Sequence, residues 1–330
     1  SDVTYPWDNS NFLNEQFLGS LPTYKPYCHI IAALYGSELD GSDRTAYTQF
    51  WNSWNGACNL DNVEVVYTGQ VPEILADNTI YVVSGTTQTI SAPRIMANCS
   101  AILGLGDLIL KKTANRDGIY SNSKTNWIID NLSIDGAWNR LYGLYVNSSS
   151  NNTINKVDIY SNSWNNNALG SKFDNSNYNS INNSNFYNNS VLGLRILWSR
   201  NILNNIQIYN NDYGLQIDNP YNTINNTQIY NNGVVWINSR TWYNTFNNVQ
   251  SYNNGGDGIR ISFDGDWNWQ SRNIFNNVRS YNNGGTGVYK WFDSLVLYGK
   301  NVFFNNALWD YNGNRAVGSN NSLWREWGNA

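Results

Sequence analysis

Apolar and polar residues alternate in short segments along most of the chain. In Ile206–Ile208 and Leu215–Ile217, single polar residues separate the apolar ones. A period of two is that of a half-buried β-strand, and the helical period of 3.6 residues does not fit these segments. Each segment is too short to bury its own apolar face. We therefore expect many short strands that are stable only when repeated units stack on one another.

A repeat runs through the second half of the chain. A phrase close to Ile-Tyr-Asn-Asn returns every 21 to 30 residues, at Tyr160, Tyr187, Tyr209, Tyr230, Tyr252, Tyr281 and Tyr311. A second phrase pairs Gly with an apolar residue, and it begins at Gly118, Gly143, Gly193, Gly214, Gly258 and Gly287. Two phrases in fixed alternation at this period predict a solenoid in which each unit forms one coil.

Asparagine makes up about 18% of the residues, and most of it lies in the repeat. Stacked coils place equivalent residues above one another at the ~4.8 Å spacing of paired strands. Asn side chains can then hydrogen-bond from coil to coil, and Asn tolerates the left-handed backbone of sharp corners. We interpret the Asn runs as ladder and corner residues, which explains their number without a ligand.

The phrases Asn253–Ile259 and Asn282–Val288 resemble those of right-handed parallel β-helix repeat proteins. The chain is similar to the pectate-lyase-like superfamily, especially its Asn-rich branch of surface and periplasmic copper-binding-like repeat proteins. This resemblance implies an all-β fold, a right-handed single-stranded parallel β-helix. The superfamily includes lyases, hydrolases, epimerases, tailspikes and adhesins, so the resemblance leaves the function open.

Three regions follow from the extent of the repeat. Residues 78–315 form the predicted β-helix. Residues 1–77 lack the repeat, and Ser42–Trp54 predicts an amphipathic helix in a small N-terminal capping region. Residues 316–330 form a C-terminal cap or tail. A solenoid needs both ends covered, which gives these flanking regions a structural purpose.

Composition narrows the function classes. Only 13% of the residues are charged, the formal net charge is −4, and the one His is His29. Scattered Lys and Arg give no basic patch for nucleic acid, and no apolar stretch reaches the ~20 residues of a membrane-spanning helix. Few ligands for a transition metal are available, so we expect no metal cofactor beyond structural calcium at a carboxylate cluster.

The three cysteines lie in the first third of the chain, at Cys28, Cys58 and Cys99. None of their spacings is that of a zinc or haem motif. One disulfide with one remaining thiol is the simplest arrangement, and we expect Cys28 to pair with Cys58. The chain begins at Ser1 without a leader, which fits a signal peptide that was removed or not included. We expect a secreted or cell-surface protein.

Catalytic phrases of related enzymes are absent from the sequence. The Arg-x-Pro-x-x-Arg phrase of pectate lyases is missing, and so are the Asn-Thr-Asp, Asp-Asp and Gly-His phrases of polygalacturonases. The best candidate cluster consists of Asp257, Asp264, Asp266 and Asp293. Paired carboxylates could act as acid and base on a glycosidic bond, and three could hold calcium. Alternatively, they are solvated loop residues paired with neighbouring Arg and Lys side chains.

Aromatic residues recur in the loop that follows each Gly-apolar strand. This predicted stripe comprises Trp198, Tyr221, Trp242, Tyr243, Trp267, Trp269, Trp291 and Phe292. In stacked coils these loops share one side of the rod, where large aromatics are expected to be partly exposed. Three interpretations remain: a satellite core, a contact surface for copies of the chain or another partner, and a glycan-binding platform.

Two functional hypotheses follow. The first is a non-catalytic extracellular structural protein, a rigid rod for adhesion, display or self-assembly into a surface layer or filament. The alternative is a protein that binds or degrades polysaccharides, as a lyase or a glycoside hydrolase. The sequence favours the first because the catalytic phrases are missing, so we lean away from an enzyme. The expected partners are the chain itself or a glycan, and not nucleic acid.

Overall fold

The computed structural model describes residues 58, 64–139, 141–163, 169–233, 235–239, 243–261, 273–290, 295–308, 311–312 and 322–323. These residues form thirty short strands that pair in parallel, layer upon layer. Each circuit of the chain crosses three faces and then begins the next layer, which is the predicted all-β parallel solenoid. The predicted helix at 42–54 lies outside the described residues.

We number the strands in chain order and group them by face. The first face holds β1 (Glu64–Thr68), β2 (Thr79–Ser84), β5 (Ala101–Leu105), β8 (Ile128–Asp135), β10 (Thr153–Tyr160), β12 (Ser180–Asn182), β15 (Ile202–Asn204), β18 (Thr223–Asn225), β21 (Thr245–Asn247), β24 (Asn273–Asn276) and β27 (Leu295–Tyr298). Strands β8 and β10 continue onto the second face, where their second halves pair.

The second face also holds β3 (Thr87–Ile90), β6 (Ile109–Lys112), β13 (Asn185–Tyr187), β16 (Gln207–Tyr209), β19 (Gln228–Tyr230), β22 (Gln250–Tyr252), β25 (Arg279–Tyr281), β28 (Val302–Phe304) and β30 (Ser322–Leu323). The third face is a sheet of β4 (Arg94–Ile95), β7 (Ile119–Asn122), β9 (Leu144–Asn147), β11 (Leu169–Asp174), β14 (Leu192–Ile196), β17 (Tyr213–Ile217), β20 (Val235–Ser239), β23 (Ile259–Ile261), β26 (Val288–Lys290) and β29 (Tyr311–Asn312).

The core is built from columns of identical or similar residues. On the first face, paired positions in successive layers are Ile154, Ile181, Leu203, Ile224, Phe246, Phe275 and Leu297. All of them are buried. Burying such a side chain contributes about 1.5–3 kcal/mol, so stacking supplies the stability that a single coil lacks. This confirms the period-two reading of the sequence.

The corners between the faces need residues that accept a positive φ. We call the corner between the first and second faces the first corner, where Asn205 (φ 56°) and Asn226 (φ 50°) lie. At the second corner, between the second and third faces, Asn210 and Asn231 both have φ 54°. A short polar side chain makes Asn the residue that tolerates this backbone best after Gly. The corner role predicted for Asn is thus confirmed.

Inside the second corner, Asn side chains form a continuous ladder of Asn162, Asn189, Asn211, Asn232, Asn254, Asn283 and Asn306, and all of them except Asn306 are buried. Each side-chain Nδ2 donates to the Oδ1 of the next Asn, as from Asn189 to Asn211 at 3.0 Å. The backbone N–H of Asn189 donates to the same oxygen at 2.9 Å. Buried amides are thereby satisfied, which confirms the predicted ladder.

A lysine stands at the start of this ladder. Lys112 is buried, and its Nζ donates to Asn162 Oδ1 at 3.0 Å and to the Tyr142 carbonyl at 3.2 Å. Burial lowers the pKa of Lys112 to about 8, and the charge of Asp117 partly opposes this effect. The lysine supplies the hydrogen-bond donor that a preceding Asn would otherwise provide.

Six of the seven repeat tyrosines stack on the outer side of the second face. Their rings lie 4.9–5.1 Å apart from Tyr160 to Tyr281, and Phe304 continues the stack 5.0 Å beyond Tyr281. Tyr311 does not continue it, because it belongs to β29 on the third face. The recurring Tyr therefore marks the same position in six coils, whereas Tyr311, grouped with them in the repeat, occupies a different face.

The predicted disulfide is wrong. Cys58 pairs with Cys99, and their Cα atoms lie 5.7 Å apart. Cys28 lies outside the described residues. Cys99 comes just before β5, and the stacking of coils brings it next to Cys58. Residues 1–77 lack the repeat, so the spacing of the cysteines in the sequence does not reveal this proximity. The strands also extend beyond the predicted limits of 78 and 315, since β1 pairs with β2 and β30 pairs with β28.

Candidate functional site

The described members of the predicted aromatic stripe lie at the third corner, between the third and first faces. Their exposed fractions are 39% for Trp198, 51% for Tyr221 and 40% for Tyr243. The rings of Tyr221 and Tyr243 are parallel within 4°, with centroids 5.2 Å apart. These three side chains do not form a satellite core. Trp242, Trp267, Trp269, Trp291 and Phe292 lie outside the described residues.

Two residues outside the predicted stripe belong to the same column. Tyr178 and Arg200 occupy the equivalent positions in the two preceding layers, with φ 56° and 61°, beside 63° for Tyr221 and 58° for Tyr243. Arg200 lies over the Tyr178 ring at 5.5 Å, and its Nη1 donates to the Tyr178 hydroxyl at 2.6 Å. We call Tyr178, Arg200, Tyr221 and Tyr243, together with Trp198, the third-corner column.

For the column residues other than Trp198, the position in the chain explains the exposure. Tyr178, Arg200, Tyr221 and Tyr243 each come directly before a buried Asn of a second inner ladder. That ladder runs through Asn152, Asn179, Asn201, Asn222, Asn244 and Asn273. Because the Asn points inward, the left-handed residue before it points outward. The dipeptides Tyr-Asn and Arg-Asn were the available sequence signal.

The offset stacking of the corner rings leaves aromatic surface open. A centroid separation of 5.2 Å exceeds the ~3.5 Å of atomic contact between parallel planes, so the two rings overlap only partly. The second-face tyrosines differ because they are only partly exposed, with neighbours on both faces of each inner ring. Three of their hydroxyls, those of Tyr230, Tyr252 and Tyr281, also donate to Gln side chains, as in the 3.1 Å bond from Tyr230 to Gln207 Oε1. We assign the second-face ladder a structural role.

A polar cluster on the outer side of the third face lies beside this corner. Lys172 Nζ is 2.8 Å from Asp174 Oδ2 and 5.3 Å from the Tyr145 ring centroid. The Tyr145 hydroxyl donates to Asp174 Oδ2 at 3.5 Å. Burial, with a contribution from Asp174, raises the pKa of Tyr145 to about 12. Tyr145 therefore remains a hydrogen-bond donor near neutral pH.

The next layer repeats the charge pairing with different residues. Arg195 follows Lys172 in the strand register, and its Nε and Nη2 donate to Asp218 Oδ2 at 3.1 and 3.0 Å. Both partners are partly exposed. The surface next to the third-corner column thus presents cations, carboxylates and a phenol over four successive layers, from Tyr145 on β9 to Asp218 after β17. Its residues are far apart in the chain and follow no motif, so no sequence signal points to this surface.

Only Asp257 of the predicted carboxylate cluster is described. It lies at the second corner, before β23, and its Oδ1 accepts a hydrogen bond from Thr286 N at 2.8 Å. That contact ties one layer to the next. Asp264, Asp266 and Asp293 lie outside the described residues. Within the described part of the chain, no group of three or more His, Cys, Asp or Glu residues is arranged to hold a metal ion.

Comparison with known proteins agrees with this architecture. Residues 78–233 match the family model described as right handed beta helix region. The structure of pectate lyase Pel9A is 15% identical, with a TM-score of 0.54 over 76% of this chain and 71% of that chain. The mannuronan C-5 epimerase AlgE4 A-module of Azotobacter vinelandii is also 15% identical, with a TM-score of 0.51 over 79% of this chain and 74% of that chain.

A viral protein has a similar structure. ORF18 of Geobacillus virus E2 is 14% identical, with a TM-score of 0.57, and the match covers 83% of this chain and 57% of that chain. No curated protein matches the sequence. The described residues include no helix long and apolar enough to span a membrane. The chain is a right-handed parallel β-helix with pectate-lyase-like structural neighbours.

Proposed function

We propose that this protein is a non-catalytic, carbohydrate-binding rod that acts outside the cell and holds a glycan along its third corner. The observation that carries the proposal is the third-corner column, a row of exposed aromatic and cationic side chains on successive layers. Sugar rings stack their C–H faces on aromatic rings, while their hydroxyls bind amides and charged groups. The column and the neighbouring Lys172–Asp174 cluster supply both kinds of contact.

The scaffold supports this function by fixing the side chains before a ligand arrives. Every column residue except Trp198 precedes an Asn that is buried and hydrogen-bonded to the adjacent layers, as Asn222 is to Asn201 and Asn244. The backbone at Tyr221 and Tyr243 is therefore held from inside. A preorganised surface loses less conformational entropy on binding, which favours affinity for a weakly interacting ligand such as a glycan.

An extracellular location agrees with the disulfide. Cys58 and Cys99 form a cross-link of the kind that persists in oxidising compartments and is rare in the reducing cytosol. The names of two similar structures, a pectate lyase and a mannuronan C-5 epimerase, each refer to a polysaccharide. We extend that ligand class to this chain as part of the proposal, while turnover is not part of it.

The double variant Tyr221→Ala/Tyr243→Ala tests the proposal. Affinity electrophoresis through gels containing pectate, alginate, xylan or glucomannan should show retardation of the wild type and at least a tenfold weaker interaction of the variant. Removing the two rings deletes the open stacking surface. Tyr213→Ala is the matched control, because Tyr213 has a similar exposed fraction, 41%, but lies at the start of β17, away from the third corner.

Equal retardation of wild type and variant, or no interaction with any polysaccharide, would contradict the proposal. Exposed aromatics and Arg also suit protein interfaces. Sedimentation velocity of the same variants measures whether the column holds copies of the chain together. If the double substitution dissolves an oligomer and leaves glycan binding unchanged, the column is a self-assembly surface.

A polysaccharide-degrading enzyme is the second candidate, favoured by the Tyr145–Asp174–Lys172 cluster. A phenol and a carboxylate 3.5 Å apart, with an ammonium group beside them, can exchange a proton with a ligand. Assays for unsaturated products and for reducing ends over the same polysaccharides would decide. Turnover that Asp174→Asn abolishes would replace the non-catalytic proposal.

A further inference from the structure

Trp138 is the most exposed tryptophan of the described residues and lies away from the third corner. Its exposed fraction is 64%, and its φ is 61°, a conformation that is uncommon for a bulky side chain. The turn around it is well held. Trp138 N donates to the Ser161 carbonyl at 2.8 Å, and Ala137 N donates to Asp135 Oδ1 at 2.8 Å. The hydrogen bonds of this turn thus hold the Trp138 backbone in place while its indole ring is exposed to solvent at the second corner.

A shallow groove of about 510 Å³ runs from Trp138 across the layers that follow. Its polar lining includes Asn188, Asn210, Asn231 and Asp212, and none of the described lining residues is Lys or Arg. The three Asn residues occupy equivalent left-handed positions, one layer apart, with φ 53–54°. Their exposed side chains therefore form a row with the ~4.8 Å spacing of paired strands.

The side-chain amides of this row are available for a ligand. At the first corner, by contrast, exposed Asn side chains bind one another. Asn205 Nδ2, for example, donates to Asn183 Oδ1 at 2.8 Å, and Asn248 Nδ2 to Asn226 Oδ1 at 3.1 Å. Among the described residues, Asn188, Asn210 and Asn231 have no such side-chain partner. The same residue type in the same backbone conformation is thus tied at one corner and open at the other.

We propose that the second-corner groove is a separate binding site for a neutral, hydroxyl-rich glycan. The Trp138 indole offers a stacking face for a pyranose ring, and the open amides of Asn188, Asn210 and Asn231 pair with hydroxyl groups along the chain. The carboxylate of Asp212, with no Lys or Arg among the described lining residues, disfavours acidic sugars. A rod with glycan sites at two corners bridges two polysaccharide chains, a function beyond binding one.

The test compares Trp138→Ala and Asn210→Gly with wild type, using glucomannan, hydroxyethyl cellulose and dextran as neutral probes. Gly preserves the positive φ of residue 210 while removing the amide. Asn282→Gly is the matched control, because Asn282 continues the same corner column beyond the groove, also with φ 54°. Circular dichroism melts verify that each variant is folded.

We expect Trp138→Ala to weaken binding of at least one neutral probe tenfold or more and Asn210→Gly several-fold, with Asn282→Gly unchanged. Mixing wild type with that polysaccharide should raise turbidity through cross-linking, and Trp138→Ala should not. Neutral-probe binding that is unaffected by Trp138→Ala, or absent in wild type, would overturn the site. If only Tyr221→Ala/Tyr243→Ala loses binding of the neutral probes, the third corner is the binding site and the second-corner site is refuted.

Discussion

Asp130 shows how one residue makes the stability of the rod depend on pH. Its side chain is fully buried, Oδ1 accepts a hydrogen bond from Asn155 at 2.5 Å, and Oδ2 has no hydrogen-bond partner among the described residues. Burial raises the pKa of Asp130 to about 8, against the opposing effects of the Asn155 hydrogen bond and the Lys156 charge. Ionisation of this carboxyl is therefore much more costly in the folded state than in the unfolded chain.

The sign of the pH dependence follows from this difference. The folded pKa lies above the unfolded value of about 4, so the contribution of Asp130 to stability is complete below pH 4 and is lost as pH rises to 8. The free energy of unfolding should fall by up to ~1.4 kcal/mol per pH unit in this range. Asn at position 130 has no charge to bury and should remove that fall.

Urea unfolding of wild type and Asp130→Asn between pH 4 and 8 measures the effect. Other titrating groups are common to both proteins, so the difference between their unfolding free energies isolates residue 130. We expect the variant to gain stability relative to wild type as the pH rises. A difference that stays constant over this range would show that Asp130 does not titrate as described.

At the scale of elements, the strands and ladders were the part that sequence could predict. Strands such as β15 and β16 have local alternation, and the ladder Asn residues recur with the coil, so both signals exist in the chain before it folds. The third-corner column was only half predicted. Apart from Trp198, its members share a backbone position but not a residue type, since Arg200 stands between Tyr178 and Tyr221. Trp138 belongs to a single turn without repeated signal, and the sequence did not single it out.

The inner ladders predict that a buried ladder Asn and an exposed corner Asn contribute very differently to the free energy of unfolding. Asn201 is buried, its Oδ1 accepts from the N and Nδ2 of Asn179 at 3.0 Å, and its own Nδ2 donates to Asn222 Oδ1 at 3.2 Å. Asn201→Ala leaves these groups without partners in the core. We expect it to cost about 3 kcal/mol or more of unfolding free energy.

Chemical denaturation of Asn201→Ala beside Asn210→Gly checks this expectation. Asn210 is exposed, and Gly accepts its positive φ, so the control should stay within about 0.5–1 kcal/mol of wild type. Similar losses in the two variants would mean that the ladder contributes no more than any corner residue.

At the scale of the whole molecule, the disulfide secures the first layers of the stack. Cys58 and Cys99 are separated by 41 residues, and closing a loop of that size reduces the entropy of the unfolded chain by an equivalent of about 3–4 kcal/mol. The double variant Cys58→Ser/Cys99→Ser should therefore melt several degrees below wild type. Cys28→Ser should leave this stabilisation in place. If Cys28→Ser lowers the melting temperature as much as the double variant does, the described pairing is incorrect.

The ladder that begins at Lys112 also gives the rod a net electric dipole along its axis. Every ladder Asn points its carbonyl toward the preceding layer and its amide N–H toward the next, as Asn189 does between Asn162 and Asn211. The side-chain dipoles add along the axis, and the cation of Lys112 sits at the end where carbonyl oxygen is presented. This is the arrangement that favours a Lys at the C-terminus of a helix. An end-to-end contact between two copies that extended this ladder would join unlike ends, so the resulting polymer would be polar rather than a two-fold pair.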